Sequence, residues 1–292
     1  MLSPDLRHAN SGLPAGSAQA PRRPRACNSQ PIRWYRAGGV KLQRNATLGV
    51  MRIADLLFTQ GFGSRRECLG LVASGQVQLQ GRIVTDPLQE VVEVGLEFVV
   101  SGQPWLYQAQ AVLMLHKPAG FECSRAPRDH PSVLSLLPAP LRQRGVQPVG
   151  RLDQDTTGLL LLTDNGALIH RLTHPKRHVA KVYVAQTRHA VDERQVAALL
   201  QGVVLHDAPA AVRALACKAL APTVLQLTIS EGRYHQVKRM VAAAGNRVEQ
   251  LHRVSLGPLT LPEGLTEGQW RWLSAEQQQA LSAGTVLQVA PG

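Results

Sequence analysis

Apolar and polar positions at the start of the segment 51–98 predict two short helices. Ile53, Leu56 and Leu57 have helical spacing. Ser64-Arg65-Arg66-Glu67 has the form of a capping box, in which Ser64 begins a helix and Glu67 reaches back to the Ser64 amide. The second helix is therefore predicted to begin at residue 65 and to end near Gly75.

The rest of this segment has the pattern of a β-hairpin. Val77-Gln78-Leu79 and Ile83-Val84 are short β-prone runs on either side of the turn sequence Gln80-Gly81. Together with the two helices, the hairpin predicts a compact small domain.

From about residue 113 to residue 273, short apolar runs alternate with helical patterns. Strands are predicted at residues 111–115, 159–162, 181–185 and 224–229, and helices at residues 165–173, 192–201 and 235–244. Gly245 is suited to end the last helix. Strands and helices do not alternate strictly enough for a doubly wound parallel sheet. The predicted fold class is therefore α+β with a mostly antiparallel mixed sheet.

Four segments are expected along the chain. Residues 1–49 mix five prolines with Gly, Ser and Arg and have no helical or strand period, which predicts a disordered basic extension. Residues 50–108 are expected to form the small domain and a linker, residues 109–276 a larger domain, and residues 277–292 a C-terminal tail. Two interpretations of the extension stay open: either Met51 is the true start, or the extension is an arm that adds phosphate affinity.

The net charge of +12 and the pI of about 10.3 make a polyanion the natural partner. The charge is distributed unevenly, with +7 in residues 1–50, −2 in residues 51–108 and +7 in residues 109–292. A soluble protein whose surface is rich in arginine, without a nucleic-acid partner, would have the same net charge. Charge alone therefore makes nucleic acid plausible without identifying one.

Several features favour a cytoplasmic protein without a nucleotide cofactor. No apolar run approaches the roughly 18–20 residues of a membrane span, and the first residues lack the order of a secretory signal. The four cysteines are far apart, which favours reduced thiols over a zinc site or a disulfide framework. Neither Gly-x-Gly-x-x-Gly nor a phosphate-loop lysine motif is present.

The segment 150–162 carries the most informative pattern of the chain. Asp153 follows Arg151 in a short polar loop, which Gly158 closes before an apolar run. An ionisable acid beside a buried strand has to be paired or used in chemistry, because its unpaired burial costs several kcal/mol. A bare Arg-Leu-Asp has little value, whereas the extended Gly-Arg-Leu-Asp-x-x-Thr-x-Gly-Leu-Leu-Leu-Leu-Thr is highly specific.

This segment resembles the sequence around the catalytic aspartate of RNA pseudouridine synthases, in the family that contains the RsuA and RluB types. Three further segments match motifs of that family: His116-Lys117-Pro118-Ala119-Gly120, residues 178–183 with Tyr183, and residues 231–240 with Lys238. The resemblance covers nearly all of residues 51–273.

The small domain resembles an S4 RNA-binding domain. The resemblance rests on Arg52, on Ser64-Arg65-Arg66-Glu67, on Gly75-x-Val77 and on Gly81, whereas Gln80 stands where the pattern has asparagine. Two cations in the first helical turn interact unfavourably with the helix dipole, and each costs roughly 0.3–1 kcal/mol of helix stability. That placement favours phosphate binding at the helix start over the alternative, in which both arginines only point into water.

The resemblance also implies a reaction and the residues for it. Pseudouridine formation breaks the N1–C1′ bond of uridine, turns the base and rejoins it through C5, without a cofactor or a metal. Asp153 is expected to be the catalytic carboxylate, Tyr183 the ring that holds the flipped base, and Lys238 the cation that keeps Asp153 ionised and oriented. RNA contacts are expected from Arg52, Arg65, Arg66, Lys117, Arg151, Lys181, Arg233, His235 and Arg239.

Metal sites are the main alternative for two groups of residues. Asp155 beside Asp153 could belong to a two-carboxylate glycosidase or an Asp-x-Asp metal site, although a turn residue next to a functional acid is favoured. His170, His174 and His178 recur every four residues. Because Pro175 interrupts their helix and no acid completes a ligand shell, RNA contacts or surface histidines are favoured.

Residues 121–134 and 227–240 look more like the RsuA type. That resemblance implies a monomer that modifies uridine 516 of 16S ribosomal RNA, in free RNA or in a small-subunit assembly intermediate. Residues 63–67 instead resemble the RluB type, which modifies 23S ribosomal RNA. A non-catalytic ribosome-assembly factor should have lost Asp153, Tyr183 or Lys238, and the S4-like segment argues against a DNA glycosylase.

Overall fold

The computed structural model of the chain describes residues 49–206, 208 and 210–283. The basic extension predicted for residues 1–49 therefore lies outside the described residues, apart from Gly49. The elements of the small domain are, in chain order, β1 (Val50–Arg52), α1 (Ile53–Thr59), α2 (Arg65–Ala73), β2 (Val77–Leu79), β3 (Arg82–Val84), β4 (Glu90–Val92), β5 (Glu97–Val100) and β6 (Gln103–Leu106).

One apolar core holds the helices of the small domain against its strands. The strands β3, β2, β5 and β6 form an antiparallel sheet in that order, and β1 pairs with β4. Ile53, Leu56 and Leu57 are fully buried, which confirms the predicted helical spacing. Val72 of α2 and Phe98 of β5 belong to the same core.

The predicted capping box and hairpin are both present. The Glu67 amide donates to the Ser64 hydroxyl at 3.3 Å, and the Ser64 amide donates to the Glu67 carboxylate at 2.6 Å. In the turn between β2 and β3, Gln80 has φ +48° and Gly81 has φ +76°. Gln80 thus occupies a left-handed conformation that asparagine adopts more readily, which explains why the S4 pattern has asparagine there.

Residues 112–283 are organised around one mixed sheet. Their elements are β7 (Val112–Lys117), α3 (Ala139–Gln143), β8 (Gln147–Pro148), β9 (Thr157–Thr163), α4 (Gly166–Thr173), β10 (Lys181–Thr187), α5 (Glu193–Gln201), β11 (Ala216–Ala221), β12 (Val224–Ile229), α6 (Gln236–Ala243), β13 (Val248–Leu256), β14 (Leu259–Thr260), β15 (Trp270–Trp272) and α7 (Ala275–Ala283). Each strand and helix predicted from the sequence overlaps one of these elements.

The strands of this sheet follow the order β11-β12-β10-β13-β9-β7-β15, with β14 on β13 and β8 on β9. The pairing of β13 with β9 is parallel, with Arg253 opposite Gly158, and the other pairings between the described strands are antiparallel. The α+β fold with a mostly antiparallel mixed sheet is therefore confirmed.

Apolar clusters cover both faces of the sheet, and β9 contributes to each. Leu160 and Leu162 pack in one cluster, and Leu159 and Leu161 pack in the other. A strand that is buried on both faces has no reason to alternate apolar with polar residues. This burial explains the uninterrupted run of leucines directly after the polar loop.

The first part of the tail expected from residue 277 is helical and packs against the larger unit. Residues 277–283 belong to α7, and Leu281 is buried in the same cluster as Leu159. The Arg171 guanidinium donates to the carbonyl and the hydroxyl of Ser282 at 3.4 and 3.3 Å. Residues 284–292 lie outside the described part of the chain. Among the described helices, none is long and apolar enough to cross a membrane.

Arg144, just after α3, joins the small domain to the larger unit. Its guanidinium contacts the Asp164 carboxylate at 2.7 Å and donates to the Gln60 side chain and the Gln108 carbonyl, each at 2.9 Å. Its side chain is almost fully buried. These contacts connect the end of α1, the linker and the start of α4, so the two parts have a defined relative position.

Candidate active site

A cavity of about 780 Å³ lies where β10, β12 and β13 meet the loop before β9. Its volume lies within the range of roughly 300–1,000 Å³ that is typical of small-molecule sites. Arg151, Asp153, Lys181, Tyr183 and His235 all line it. The structure thus brings together five residues that are up to 84 positions apart in the sequence.

Lys117 holds the loop that carries Asp153 through hydrogen bonds to its backbone. The Lys117 ammonium donates to the carbonyls of Pro118, Gln154 and Thr156 at 2.9, 3.1 and 2.9 Å. The side chain is fully buried, and burial lowers its pKa below the ordinary lysine value. In this structure the three hydrogen bonds of Lys117 go to the loop, whereas an RNA contact was expected of it.

Gly158 allows the same loop to approach β13. Its φ is +107°, and a Cβ atom there would lie 2.3 Å from the carbonyl oxygen of Arg253 and 2.6 Å from its nitrogen. Neither distance is possible for a side chain, so the parallel contact of β9 with β13 requires glycine. Gly158 thus allows the polar loop to lie close to Arg253, which lines the cavity.

Asp153 faces two nitrogen-bearing side chains from the start of α6. His235 Nε2 lies 3.4 Å from one carboxylate oxygen, and Lys238 Nζ lies 3.6 Å from the other. The predicted proximity of Lys238 to Asp153 is present. His235, for which only an RNA contact was expected, also lies against this carboxylate.

Lys238 has a second and closer partner in Asp155. The Lys238 ammonium donates to the two oxygens of Asp155 at 2.6 and 2.8 Å. Partial burial acts to raise the pKa of Asp155, but the hydrogen bond and the charge of Lys238 outweigh it and hold that pKa below its ordinary value. One lysine therefore bridges both carboxylates of the loop, and Asp155 is an ion-pair partner.

The backbone at the start of α6 directs His235 towards Asp153. His235 has φ +47°, and its ring stacks on the ring of Tyr234 with centroids 3.8 Å apart. A left-handed conformation is uncommon outside glycine, and here it occurs at the residue just before the helix. The exposed Tyr234 ring thereby limits the orientation of the imidazole next to Asp153.

Lys181 and Tyr183 project from β10 into the cavity. They are two residues apart on a strand, so they share a face, and both line the cavity. Tyr183 is buried, and Lys181 Nζ donates to the carbonyls of Val179 and Ser230 at 2.8 and 3.3 Å. Burial and the nearby Arg253 charge lower the pKa of Lys181 to about 8.

Arg253 is a site residue that the sequence reasoning missed. It lies opposite Tyr183 in the sheet, lines the cavity and is only 2% exposed. Its Nε donates to the Leu159 carbonyl at 2.7 Å, and its Nη2 has no hydrogen-bond partner among the described residues. An arginine between the apolar residues Leu251 and Val254 was the signal that could have identified it, because a cation is rarely buried without a role.

The other expected RNA contacts are divided between the cavity and the small domain. Arg151 is exposed at the cavity, Arg233 pairs with Glu231 at 2.6 Å, and Arg239 donates to the Tyr234 carbonyl at 3.1 Å. The other three, Arg52, Arg65 and Arg66, are exposed on the small domain and do not line the cavity.

Arg65 is not a free cation. Its guanidinium contacts the Asp55 carboxylate at 2.8 Å and lies over the Phe58 ring, 4.3 Å from the centroid. Phosphate binding by Arg65 would compete with Asp55. Arg66 has no ion pair among the described residues, so it is the better placed of the two for RNA.

The two possible metal sites differ in their geometry. The His170 and His174 rings pack edge to face with centroids 5.0 Å apart, and His174 accepts a hydrogen bond from the Lys176 amide. Within residues 49–206, 208 and 210–283, no three His, Cys, Asp or Glu side chains form a group suited to a metal ion. Asp153 and Asp155 meet a lysine instead.

Comparisons with known proteins agree with this geometry. Residues 111–243 match the family described as RNA pseudouridylate synthase, and residues 51–93 match the S4 domain. Over 227 residues the chain is 44% identical to the ribosomal small subunit pseudouridine synthase A of Salmonella typhimurium, with 76% of this chain and 96% of that protein covered. The protein of the same name from Escherichia coli K12 is 37% identical over 225 residues, with the same coverage.

A solved structure is also similar to this chain. A crystal structure of a pseudouridylate synthase has a TM-score of 0.56 and 34% sequence identity, and the similarity covers 79% of this chain and 99% of that one. The similarity thus extends over both the small domain and the larger unit.

Proposed function

The chain belongs to the RNA pseudouridine synthase family, and we propose that it converts uridine 516 of 16S ribosomal RNA to pseudouridine with Asp153 as the catalytic carboxylate. One observation carries the assignment of the residue. Asp153 lines a cavity together with Tyr183, and its two carboxylate oxygens lie 3.4 and 3.6 Å from nitrogen atoms of His235 and Lys238. A negative charge is thus held at the wall of a nucleotide-sized space.

The chemistry requires such a charge. Breaking the N1–C1′ bond leaves positive charge at C1′ and an electron pair on N1, and a carboxylate at C1′ stabilises that positive charge or bonds to it. The detached uracil then turns and forms a bond from C5 to C1′. Since reactant and product have the same atoms, the reaction consumes no oxidant, reductant or energy source.

The target base has to leave its stack before it can react. An enzyme that acts on a base in RNA flips the base into a pocket and holds it against an apolar or aromatic surface. Tyr183, buried in the cavity wall on β10, is proposed to supply that surface. Arg151, exposed at the rim beside Asp153, is proposed to bind a neighbouring phosphate.

Recognition of the RNA beyond the target is proposed to involve the small domain. The match to the S4 domain covers residues 51–93, and Arg66 is exposed at the start of α2. Backbone amides at a helix start and an adjacent arginine together suit a phosphate group. Arg52, Arg233 and Arg239 are proposed to add further contacts to the backbone of the RNA.

The choice of 16S ribosomal RNA rests on the sequence of residues 121–134 and 227–240 and on the names of the two relatives, both small-subunit enzymes. We propose that a monomer acts in the cytoplasm on this RNA or on a small-subunit assembly intermediate. Shape and charge outside the cavity select the substrate, because the flipped uridine is chemically the same at every site.

Mapping pseudouridines across ribosomal RNA tests the proposal. Cells that lack the gene are expected to lose one pseudouridine in 16S ribosomal RNA, and wild-type protein, but not Asp153→Asn, should restore it. Loss of a pseudouridine in 23S ribosomal RNA instead would assign the large-subunit activity. An unchanged map would contradict both assignments and favour a non-catalytic role in ribosome assembly.

A further inference from the structure

Lys181 has an unusual arrangement of hydrogen bonds for a lysine in a cavity wall. Its Nζ atom donates to the carbonyls of Val179 and Ser230, and the described part of the chain supplies no third partner. Both acceptors are backbone carbonyls, which neutralise no charge. A lysine that served only as an ammonium ion would be expected to use its third N–H bond, as Lys117 does with three carbonyls, or to have a carboxylate partner, as Lys238 has in Asp155.

This arrangement suits a neutral amine. A neutral amine has two N–H bonds and one lone pair, whereas an ammonium group has three N–H bonds. Two carbonyls use the two N–H bonds of the neutral form, so the lone pair occupies the remaining tetrahedral position. Lys181 lines the cavity that contains Asp153 and Tyr183, so a base bound in that cavity can approach its side chain.

The surrounding charges make the neutral form accessible near neutral pH. Burial and the Arg253 guanidinium on β13 lower the pKa of Lys181 to about 8, and the Glu231 carboxylate after β12 acts in the opposite direction. A group with such a pKa can accept a proton and release it again within the physiological range.

The isomerisation includes a step that needs such a group. After C5 has bonded to C1′, C5 still carries its hydrogen, and the former N1 electron pair forms the N1–C6 double bond. A base has to remove the C5 proton, so that the C5–H electrons form the C5–C6 double bond and the N1–C6 π electrons return to N1. N1 then takes a proton from solvent, and the net change is the transfer of one proton from C5 to N1.

Asp153 is poorly suited to this second task. Its two oxygens lie 3.4 and 3.6 Å from His235 and Lys238, and its negative charge is already required at C1′. We propose that Lys181 is the general base that removes the proton from C5 of the rearranged uracil. The inference rests on the proposed function and assigns this residue, for which only RNA binding was expected, a catalytic role.

Substrates with and without a C5 proton separate this step from the earlier ones. A 16S ribosomal RNA fragment labelled with tritium at C5 of the target uridine reports removal of the C5 proton. The same fragment with 5-fluorouridine has no C5 proton, so its rearrangement requires bond cleavage and reattachment only. Single-turnover rates would be measured for both substrates with wild type, Lys181→Arg, Lys181→Met and the control Lys218→Met on the exposed surface of β11.

Lys181→Arg is the decisive variant, because arginine keeps the positive charge and the N–H donors but has no lone pair at neutral pH. Both Lys181 variants should release tritium about 100-fold more slowly or worse, which is the usual contribution of a general base. Rearrangement of the 5-fluorouridine fragment should stay within about threefold of wild type, and Lys218→Met should match wild type for both substrates.

Deuterium at C5 provides a readout that a structural role would not change. Deuteration should slow Lys181→Arg more than wild type, since removal of the C5 proton becomes rate-limiting in the variant. The wild-type rate of this step should increase with pH up to about pH 8, whereas the arginine variant should lose that dependence.

The proposal would be overturned by full tritium release from Lys181→Arg, or by an equal loss of both reactions in the two Lys181 variants. The first result would show that only the charge matters, and the second that Lys181 positions the site. Asp153→Asn should lose both reactions. Absence of tritium release from the wild-type protein would reject the proposed function itself, which is a different result from a selective loss in the Lys181 variants.

Discussion

The cations of the small domain and those under the cavity lie in opposite environments. Arg65 is 69% exposed and Arg66 is also exposed at the start of α2, whereas Lys117 is fully buried and Arg253 is 2% exposed. An exposed cation keeps its water and can exchange it for a phosphate at little cost. A buried cation has lost its water and has to be compensated by carbonyls or carboxylates.

This difference assigns different tasks to residues of the same type. Exposed arginines can contribute affinity that depends on salt, and their loss should leave the fold intact. Buried cations hold the loop of Asp153 and the cavity wall, so their loss should change the reaction rate or the stability. Sequence patterns alone put Lys117 in the same class as the exposed arginines, that of expected RNA contacts, and missed Arg253.

The largest effect on the reaction is expected from removing the negative charge of Asp153, which lines the cavity. Asp153→Asn should abolish tritium release from RNA labelled at uridine C5. Its RNA affinity should stay within about threefold, or ~0.7 kcal/mol, because the exposed cations are unchanged. Substantial turnover by this variant would contradict the assignment of Asp153.

Lys117→Met tests the buried side of the comparison through stability. The substitution leaves the carbonyls of Pro118, Gln154 and Thr156 without their shared donor, and each buried acceptor left unsatisfied costs about 1–3 kcal/mol. The free energy of unfolding should therefore decrease by about 3 kcal/mol or more, as measured by urea denaturation. Lys218→Met on the exposed surface of β11 is the matched control and should change it by less than about 0.5 kcal/mol.

Lys238 is intermediate between the exposed and the buried cations, because it is partly buried and bridges two carboxylates. In Lys238→Met both carboxylates lose their cation, so the pKa of Asp155 should rise from its lowered value. Asp153 loses the positive charge 3.6 Å away that favours its ionised form, so the acidic limb of the pH–rate profile should move to higher pH. A rate decrease of about tenfold at neutral pH, with a smaller change in RNA binding, is expected.

The arginine variant and the pH dependence of stability sharpen this prediction. Lys238→Arg should keep much of the activity, since arginine still pairs with carboxylates. In the wild type, the stabilisation from Asp155 is present above its ordinary pKa and is lost as the pH falls through the lowered value. A methionine variant with the wild-type rate and acidic limb would leave His235, 3.4 Å away, as the partner of Asp153.

The smallest effect is expected on the exposed side. Arg65→Ala combined with Arg66→Ala should weaken RNA binding and reduce the slope of log affinity against log salt by roughly one to two units. Because Arg65 already contacts Asp55, Arg66→Ala alone should account for most of the change. The rate at saturating RNA should hardly change, and Arg271→Ala on β15 is the control for a generic loss of charge. An unchanged slope would mean that both arginines are only solvated.

Much of the fold could be predicted because its signals are local. The capping box of Ser64 and Glu67, the hairpin around Gln80-Gly81 and the leucine run of β9 depend on residues that are close in sequence. The specific motif around Asp153 likewise identified the centre of the site. Spacing along the chain was sufficient for these features, since hydrogen bonds within turns and helices act over a few residues.

Burial and partnership across the chain were decided only by the tertiary structure. Lys117 is buried under the loop because β7 pairs with β9, and Arg253 reaches the cavity because β13 runs parallel to β9. The sharing of Lys238 between Asp153 and Asp155 depends on where α6 packs. The sequence by itself determined which residues carry charge and which segments form strands and helices. The tertiary structure decided which of those charges lose their water, because desolvation depends on neighbours that are distant in the chain.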